Sequence, residues 1–527
     1  MELKLFLEKG YFPKELPPCF TTKKFSENIV ELMNEWNKTY NILAKEEKKD
    51  YYNSKCAKFS YPKGELTRRI LKVPNPLHYS KLCKVISDNW DSLEEIFEEA
   101  TTKMQSLSIP KIDGNKRAFM PISKSVTDFQ EKRLNLSYDN LYELKVDISK
   151  FYDTLYTHSI PWAIHGKEIA KQKQKDEQLL GNKLDLQLRI CQDNQTNGIP
   201  TGPDASFLVS EIILCKIDEK IMEKKIKFCR FMDDIYIYGN KEEEVLVALK
   251  IITKIFNEYE LSLNENKIKI RKFPFGIEET WINEVDKIKS LIYNKSTQRK
   301  AIFSFFHLIF SEMEKTKKDS IAKYLKWKLK DIKIFEENWE IFESLLYKTI
   351  LICPAVIDIA IIILKKNKDK VNKKKLKKLL KQVLENNAEY GHDYEVIWAL
   401  WMAKNFEIKI NKGVIKEILE KNGPLTCLVA MDMYKKNLVN DNFDEEVINI
   451  LKKRISGENF YEENWILLYE IKNKNWFTDS LEIKEDKYMN LLLEREILFY
   501  DDNILAKEED VDETNEMLIL GVSPYSN

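Results

Sequence analysis

Histidine and glycine are scarce in this 527-residue chain, at five and 14 residues, and its eight cysteines include no Cys-x-x-Cys pair. Few histidines and unpaired cysteines argue against a zinc site. Scattered cysteines with no signal peptide fit a reducing cytoplasm. Long apolar runs are missing too. The most apolar stretch, Leu351–Leu364, is 14 residues long and contains Pro354 and Asp358. A membrane span needs about 20 residues, so this stretch is expected to be a buried helix. Net charge is absent, with 85 basic against 85 acidic residues, which disfavours a histone-like binder.

Apolar residues make up 43% of the chain, enough for large cores in two or three domains. Charge is distributed locally. Residues 51–90 hold eight Lys/Arg against two Asp/Glu, whereas the last 37 residues hold ten acids against two bases. The run Cys229-Arg-Phe-Met-Asp-Asp-Ile-Tyr-Ile-Tyr-Gly239 places two aspartates between β-rich segments, as at the tip of a hairpin. Adjacent carboxylates repel, and divalent cations are the usual partners that hold them together. Leu144-Lys-Val-Asp147-Ile148 is a second apolar strand ending in an aspartate. Between the two lies Asn197-Gly198-Ile-Pro200-Thr201-Gly202-Pro203-Asp204, a Gly/Pro loop leading into an apolar helix.

Strand-Asp, Gly-Pro loop with helix, and aromatic-x-Asp-Asp hairpin occur in the order of motifs A, B and C in the palm of a reverse transcriptase, which this chain resembles. The chemistry implied is nucleotidyl transfer with two divalent cations about 4 Å apart. Asp147 and Asp233 are the expected primary ligands, Asp234 completes the acidic set, and the Ile148 carbonyl is a further candidate. Oxygen ligands and substrate phosphates favour Mg²⁺, with Mn²⁺ as an alternative. In this family the aromatic five residues after the first aspartate, here Tyr152, acts as a steric gate favouring dNTPs. Gly198, Pro200, Thr201 and Gly202 would lie along the nucleotide, with Thr201 where the family commonly has glutamine, a change that weakens template checking. Lys63-Gly-Glu-Leu-Thr-Arg-Arg69-Ile-Leu-Lys-Val-Pro resembles the fingers segment, with Arg69 and Lys63 as triphosphate contacts. Leu261–Lys267 resembles motif D, with Lys267 as a candidate acid for departing pyrophosphate.

The segment from Lys145 through His158 to His165, the Gly198–Ser206 loop, Phe231-Met-Asp-Asp and His392-Asp-Tyr-Glu-Val-Ile-Trp-Ala-Leu-Trp401 are similar to bacterial abortive-infection (AbiK/AbiA-like) antiphage reverse transcriptases. His158 and His165 are read as packing or strand-binding residues. The resemblance implies an α+β fingers and palm followed by an all-α, HEAT-like helical-repeat domain. The expected division is residues 1–50 N-terminal helical or irregular, 51–137 fingers, 138–285 palm, 286–500 helical repeats in place of a thumb, and 501–527 an acidic tail. It also implies a cytoplasmic homo-oligomer, trimer or hexamer, making single-stranded DNA from dNTPs without an ordinary template and joining it to a tyrosine of its own. Candidate priming residues are Tyr11, Tyr40, Tyr51 and Tyr525, and nothing in the sequence selects among them. An RNA-templated defence enzyme and a non-catalytic scaffold that binds nucleic acid and a phage protein are the alternatives.

Overall fold

The computed structural model describes residues 2–63, 67–103, 106–115, 117–123, 126–276, 280–316, 320–329 and 332–506. Tyr525 and the acidic run 508–516 lie outside them. Helices dominate, and the described strands form three small sheets. The hairpin of β1 (Ala57–Lys63) and β2 (Thr67–Val73) is antiparallel, pairing Tyr61 with Arg69. A short pair joins β3 (Pro110–Ile112) and β4 (Phe119–Pro121). The third sheet contains β5 (Tyr142–Asp147), β6 (Phe228–Phe231), β7 (Asp234–Gly239) and β8 (Lys269–Lys272), all antiparallel neighbours in the order β6-β7-β5-β8.

Alternation divides the β5–β7 pair. Leu144, Val146, Ile235 and Ile237 are buried on one face, and the helix Glu242–Glu258 packs against these strands. Lys145, Asp147, Asp234 and Tyr236 share the other face, with Asp147 directly opposite Asp234. One residue of slip would put the carboxylates into the apolar side, so the hydrophobic pattern fixes their placement.

From Thr280 onward every described element is helical. The expected single helix over Leu351–Leu364 is corrected. Pro354 has no amide hydrogen for the ladder, and the chain forms one helix to Ile352, a short turn, and a second helix from Ile357. The aromatic row Tyr394, Trp398 and Trp401 is core, with the Trp398 and Trp401 rings in edge contact at 5.4 Å. The helix bearing them, Asp393–Asn405, packs on β1. The fingers-like hairpin is therefore clamped from behind. Arg68 donates to both oxygens of Glu395 at 2.6 and 2.7 Å, and Asp393 accepts from the Ser60 amide at 2.9 Å.

The N-terminal segment alternates helices with a stretch of bends and turns over residues 10–22, around Pro13, Pro17 and Pro18. Leu3–Lys9 is a helix that buries Phe6 and Leu7, and Phe6 meets Tyr79 and Phe119 edge to face. No helix among the described residues is long and apolar enough to cross a membrane.

Candidate active site

The Asp233 turn is tight and strained. Phe231 pairs with Asp234, leaving Met232 and Asp233 as the two turn residues. Met232 has φ +53°, a left-handed conformation that a bulky residue adopts only when its surroundings enforce it. The enforcing groups are buried. The Met232 amide donates to Ser108 Oγ at 3.0 Å, and its carbonyl accepts from Arg230 Nη1 at 2.9 Å. Arg230 is fully buried and also contacts both oxygens of Glu211 and of Asp218. Desolvation pulls its charge down and the two carboxylates hold it up more strongly, so the guanidinium stays charged.

Asp147 and Asp233 are 1% and 4% exposed, while Asp234 keeps more surface. Asp147 Oδ1 and Asp233 Oδ2 are buried with no hydrogen-bond partner. Burial raises both carboxyls above the usual range. Asp234 adds to this at Asp147, and Asp234 and Asp147 add to it at Asp233. Orphaned, mutually repelling oxygens in one buried place suit a divalent cation. The side chains do not yet form a closed cage: among the described residues no group of three His, Cys, Asp or Glu is arranged to hold a metal. Lysines occupy one oxygen each of Asp147 and Asp234. Lys267 Nζ binds Asp147 Oδ2 at 2.8 Å, and Lys145 Nζ binds Asp234 Oδ2 at 2.9 Å. Asp234 is thus turned toward Lys145, and Lys267 sits on a carboxylate rather than standing free. Ile148 is buried and bridges Leu263 through its neighbours' groups: the Ser149 amide to the Ser262 carbonyl and the Asn264 amide to the Asp147 carbonyl. That pattern leaves the Ile148 carbonyl outside the bridge.

Strand alternation sends Arg68 to Glu395 and Arg69 to the opposite side, where it feels the charges of Glu15, Asp233 and Asp153. Lys63 closes the described part of β1. It is surface-exposed by area, yet its ammonium is pushed down to about 8, by desolvation first and then by Arg69 and Lys267. The charges of Asp147 and Asp233 act on it in the opposite sense. Tyr152 is buried, its hydroxyl 3.2 Å from Ser210 Oγ, and its carbonyl accepts from the Ile199 amide at 2.8 Å. Gly198, at φ +80°, lets the loop approach the strand-end turn, since a Cβ there would stand 2.8 Å from the Asp153 carbonyl oxygen. The Pro200 carbonyl accepts from Ser206 Oγ.

The loop is covered at Thr201 and Gly202. Thr201 is buried, its carbonyl accepts from the Lys72 amide, and a Cβ on Gly202 would lie 2.6 Å from Pro13 Cγ. The N-terminal segment covers this loop. Gly10 accepts from the Asp204 amide, and Arg117 ties Phe12, Gly202 and Asp204 together.

The tyrosine candidates separate. Tyr11 is fully buried and donates to the Pro74 carbonyl at 2.6 Å, so it is a core residue, not a mobile one. Tyr51 lies between the rings of Tyr461 and Tyr488. Tyr40 is 43% exposed. His158 contacts Asp185 and His165 accepts from the Gly181 amide, both packing roles. The reading of sequence missed Arg230, Glu211, Asp218 and Ser108. The available signal was two acids seven residues apart, on one face of a helix whose stretch between them is apolar but for Lys216.

Residues 82–302 match the model of the family Reverse transcriptase (RNA-dependent DNA polymerase). Arg69 and Lys63 precede that span. No curated protein matches the chain. Among solved structures, apo telomerase of Candida tropicalis lacking its C-terminal domain is similar at 13% identity, covering 48% of this chain and 56% of its own, with a TM-score of 0.31. Candida albicans telomerase with a fragment of telomeric RNA gives 13% identity over 82% and 67%, TM-score 0.31. Apo telomerase of Candida tropicalis gives 11% over 83% and 77%, TM-score 0.34. The chain thus spans little more than half of the first of these. Residues 82–302 are a reverse transcriptase domain, and the enzyme class to which they belong is the reverse-transcriptase-like nucleotidyltransferases.

Proposed function

We propose that this protein is a DNA-polymerising antiphage enzyme of the abortive-infection type, which extends DNA from dNTPs without a supplied template and from a tyrosine of its own. The observation that carries the polymerase reading is the pair of orphaned oxygens, Asp147 Oδ1 and Asp233 Oδ2. Asp147 and Asp233 would hold Mg²⁺, with Asp234 and the Ile148 carbonyl completing the set. Bound there, the ions would lower the pKa of the attacking hydroxyl and neutralise the triphosphate.

The chain's own residues then have defined tasks. Arg69 and Lys63 orient the triphosphate, the guanidinium by its planar fork and the ammonium as a point charge. Lys267, which pairs with Asp147 at 2.8 Å, would be the donor of a proton to departing pyrophosphate once that carboxylate is engaged elsewhere. Tyr152, fixed by Ser210, excludes the ribose 2′-hydroxyl. The helices beyond residue 285 form a HEAT-like domain that braces the fingers hairpin, and the division at residues 50, 137, 285 and 500 follows. Assembly as a trimer or hexamer and a phage-protein trigger belong to the same reading.

Weak template checking is supported by the buried Thr201 and by Pro13 standing on Gly202. With Tyr11 in the core, Tyr40 is the foremost priming candidate among the described residues, followed by Tyr51, and Tyr525 stays a candidate from the sequence. The test is incubation of the full chain with single labelled dNTPs and Mg²⁺, without template. Label that stays with denatured protein and shifts to peptide after protease supports the proposal. DNA that separates from denatured protein and is complementary to a co-purified RNA contradicts it and favours the RNA-templated enzyme.

A further inference from the structure

Ten lysines and one acid, Asp369, lie within residues 365–381. The helix Lys373–Asn387 displays five of them in two adjacent rows: Lys373, Lys377 and Lys381 in one, Lys374 and Lys378 in the other, all exposed. Its apolar side, including Leu376, Leu380 and Leu384, is buried and the helix packs against Asp393–Asn405, so the rows cannot turn inward. Residues four apart on a helix are separated by about 6 Å along its axis. That makes a straight, regular track of positive charge on the outer side of the helix that clamps the fingers hairpin.

Two observations set this face apart from an ordinary solvated surface. The helix begins with three lysines and has no acid in its first turn, although the positive end of a helix dipole favours anions there. Asn372 already caps the end by accepting from the Lys374 and Lys375 amides, so the lysines add charge where the backbone is already positive. Ion pairs relieve little of it: Lys375 reaches Glu340 and Lys381 lies 3.7 Å from Glu385. Just beyond the helix, Tyr390 is 69% exposed and its ring faces His392 at 5.8 Å. Lysine rows on the helix and an exposed aromatic three residues beyond its end, with Glu385 and Glu389 between, supply the two elements that hold single strands: phosphate attraction and base stacking.

We propose that this face binds single-stranded nucleic acid, with phosphates along the two lysine rows and a base against Tyr390. The site lies outside the aspartate cluster and does not depend on the proposed polymerisation.

The test is anisotropy of fluorescein-labelled oligo(dT) with the full chain in EDTA, across a range of salt concentrations. Each phosphate contact contributes about 0.7 to the slope of log affinity against log salt for single strands. The K373Q/K374Q/K377Q/K378Q/K381Q variant is expected to flatten the slope by about 3.5, and K377Q/K378Q by about 1.4. The double variant decides the matter if the quintuple one melts early. Y390A is expected to weaken binding about tenfold at unchanged slope. A wild-type slope in the double variant overturns the proposal. A flattened slope with no effect of Y390A, and equal competition by polyglutamate, overturns it in favour of an acidic protein partner. Because no nucleotide or metal is present, failure of polymerisation cannot mimic either result.

Discussion

Arg230 Nη1 donates to the Met232 carbonyl at 2.9 Å, from a guanidinium with no exposed surface. This bond reaches the strained residue beside Asp233, so the buried Glu211–Arg230–Asp218 cluster is coupled to the placement of a candidate metal ligand. Arg230→Met leaves two carboxylates unpaired in the core, and breaking such a cluster costs about 3–5 kcal/mol. Chemical denaturation should show that loss. Replacing all three residues with apolar ones should recover much of the stability, but nucleotide incorporation should remain low because the Met232 carbonyl has lost its donor. Full recovery of both would make the cluster purely structural.

Metal-free stability should depend on pH through Asp147 and Asp233. Burial raises both carboxyls in the folded protein, so the folded state binds more protons than the unfolded one above the ordinary carboxylate range. The stability they contribute is present at low pH and lost as pH rises through their raised values. Asp233→Asn should therefore raise the melting temperature at pH 8 in EDTA, with the gain shrinking toward pH 4. Mg²⁺ should stabilise the wild type more than the variant. A variant less stable than wild type at pH 8 would contradict this electrostatic reading.

Tyr152→Ala should increase rNTP use relative to dNTP, as read by the ratio of kcat/KM values. Its ring is buried, so the change also costs about 3–5 kcal/mol as a large-to-small substitution. Tyr152→Phe removes the hydroxyl that contacts Ser210 Oγ and should keep sugar discrimination. Unchanged discrimination in a folded Ala variant would leave Tyr152 as packing alone.

Arg68→Ala should loosen the fingers hairpin, because Glu395 is buried and would lose a bidentate partner. Protection of the β1 and β2 amides in hydrogen exchange should fall, and the KM for dNTP should rise through misplacement of Arg69. Exchange unchanged in β1 and β2 would show that Asp393 and the helix packing suffice.

The strand, loop and hairpin that carry the aspartates were legible because local patterns dictate them: period-two apolar residues ending in Asp147, and a two-residue turn bearing Asp233. The helical region was legible from its apolar periodicity. The covering of Gly202 by Pro13 was not, since the two are far apart in sequence and proline clusters read locally as irregular chain. The burial of Tyr11 was not legible for the same reason: it depends on Pro74, Tyr79 and Phe499, none of which is its neighbour. The Arg230 cluster was hidden because each member is an ordinary charged residue until the helix Asp204–Glu223 is laid beside β6.

The central claim is that Asp147 and Asp233 together hold the cations for nucleotidyl transfer. Incorporation of labelled dNTP by the full chain, titrated with Mg²⁺ beside the Asp233→Asn variant, tests it most directly. The expected result is metal-dependent incorporation by the wild type and at least a hundredfold loss, on the order of removing about 3 kcal/mol of transition-state stabilisation, in a variant that melts no earlier. Incorporation by Asp233→Asn at the wild-type rate and with the same Mg²⁺ dependence would contradict it.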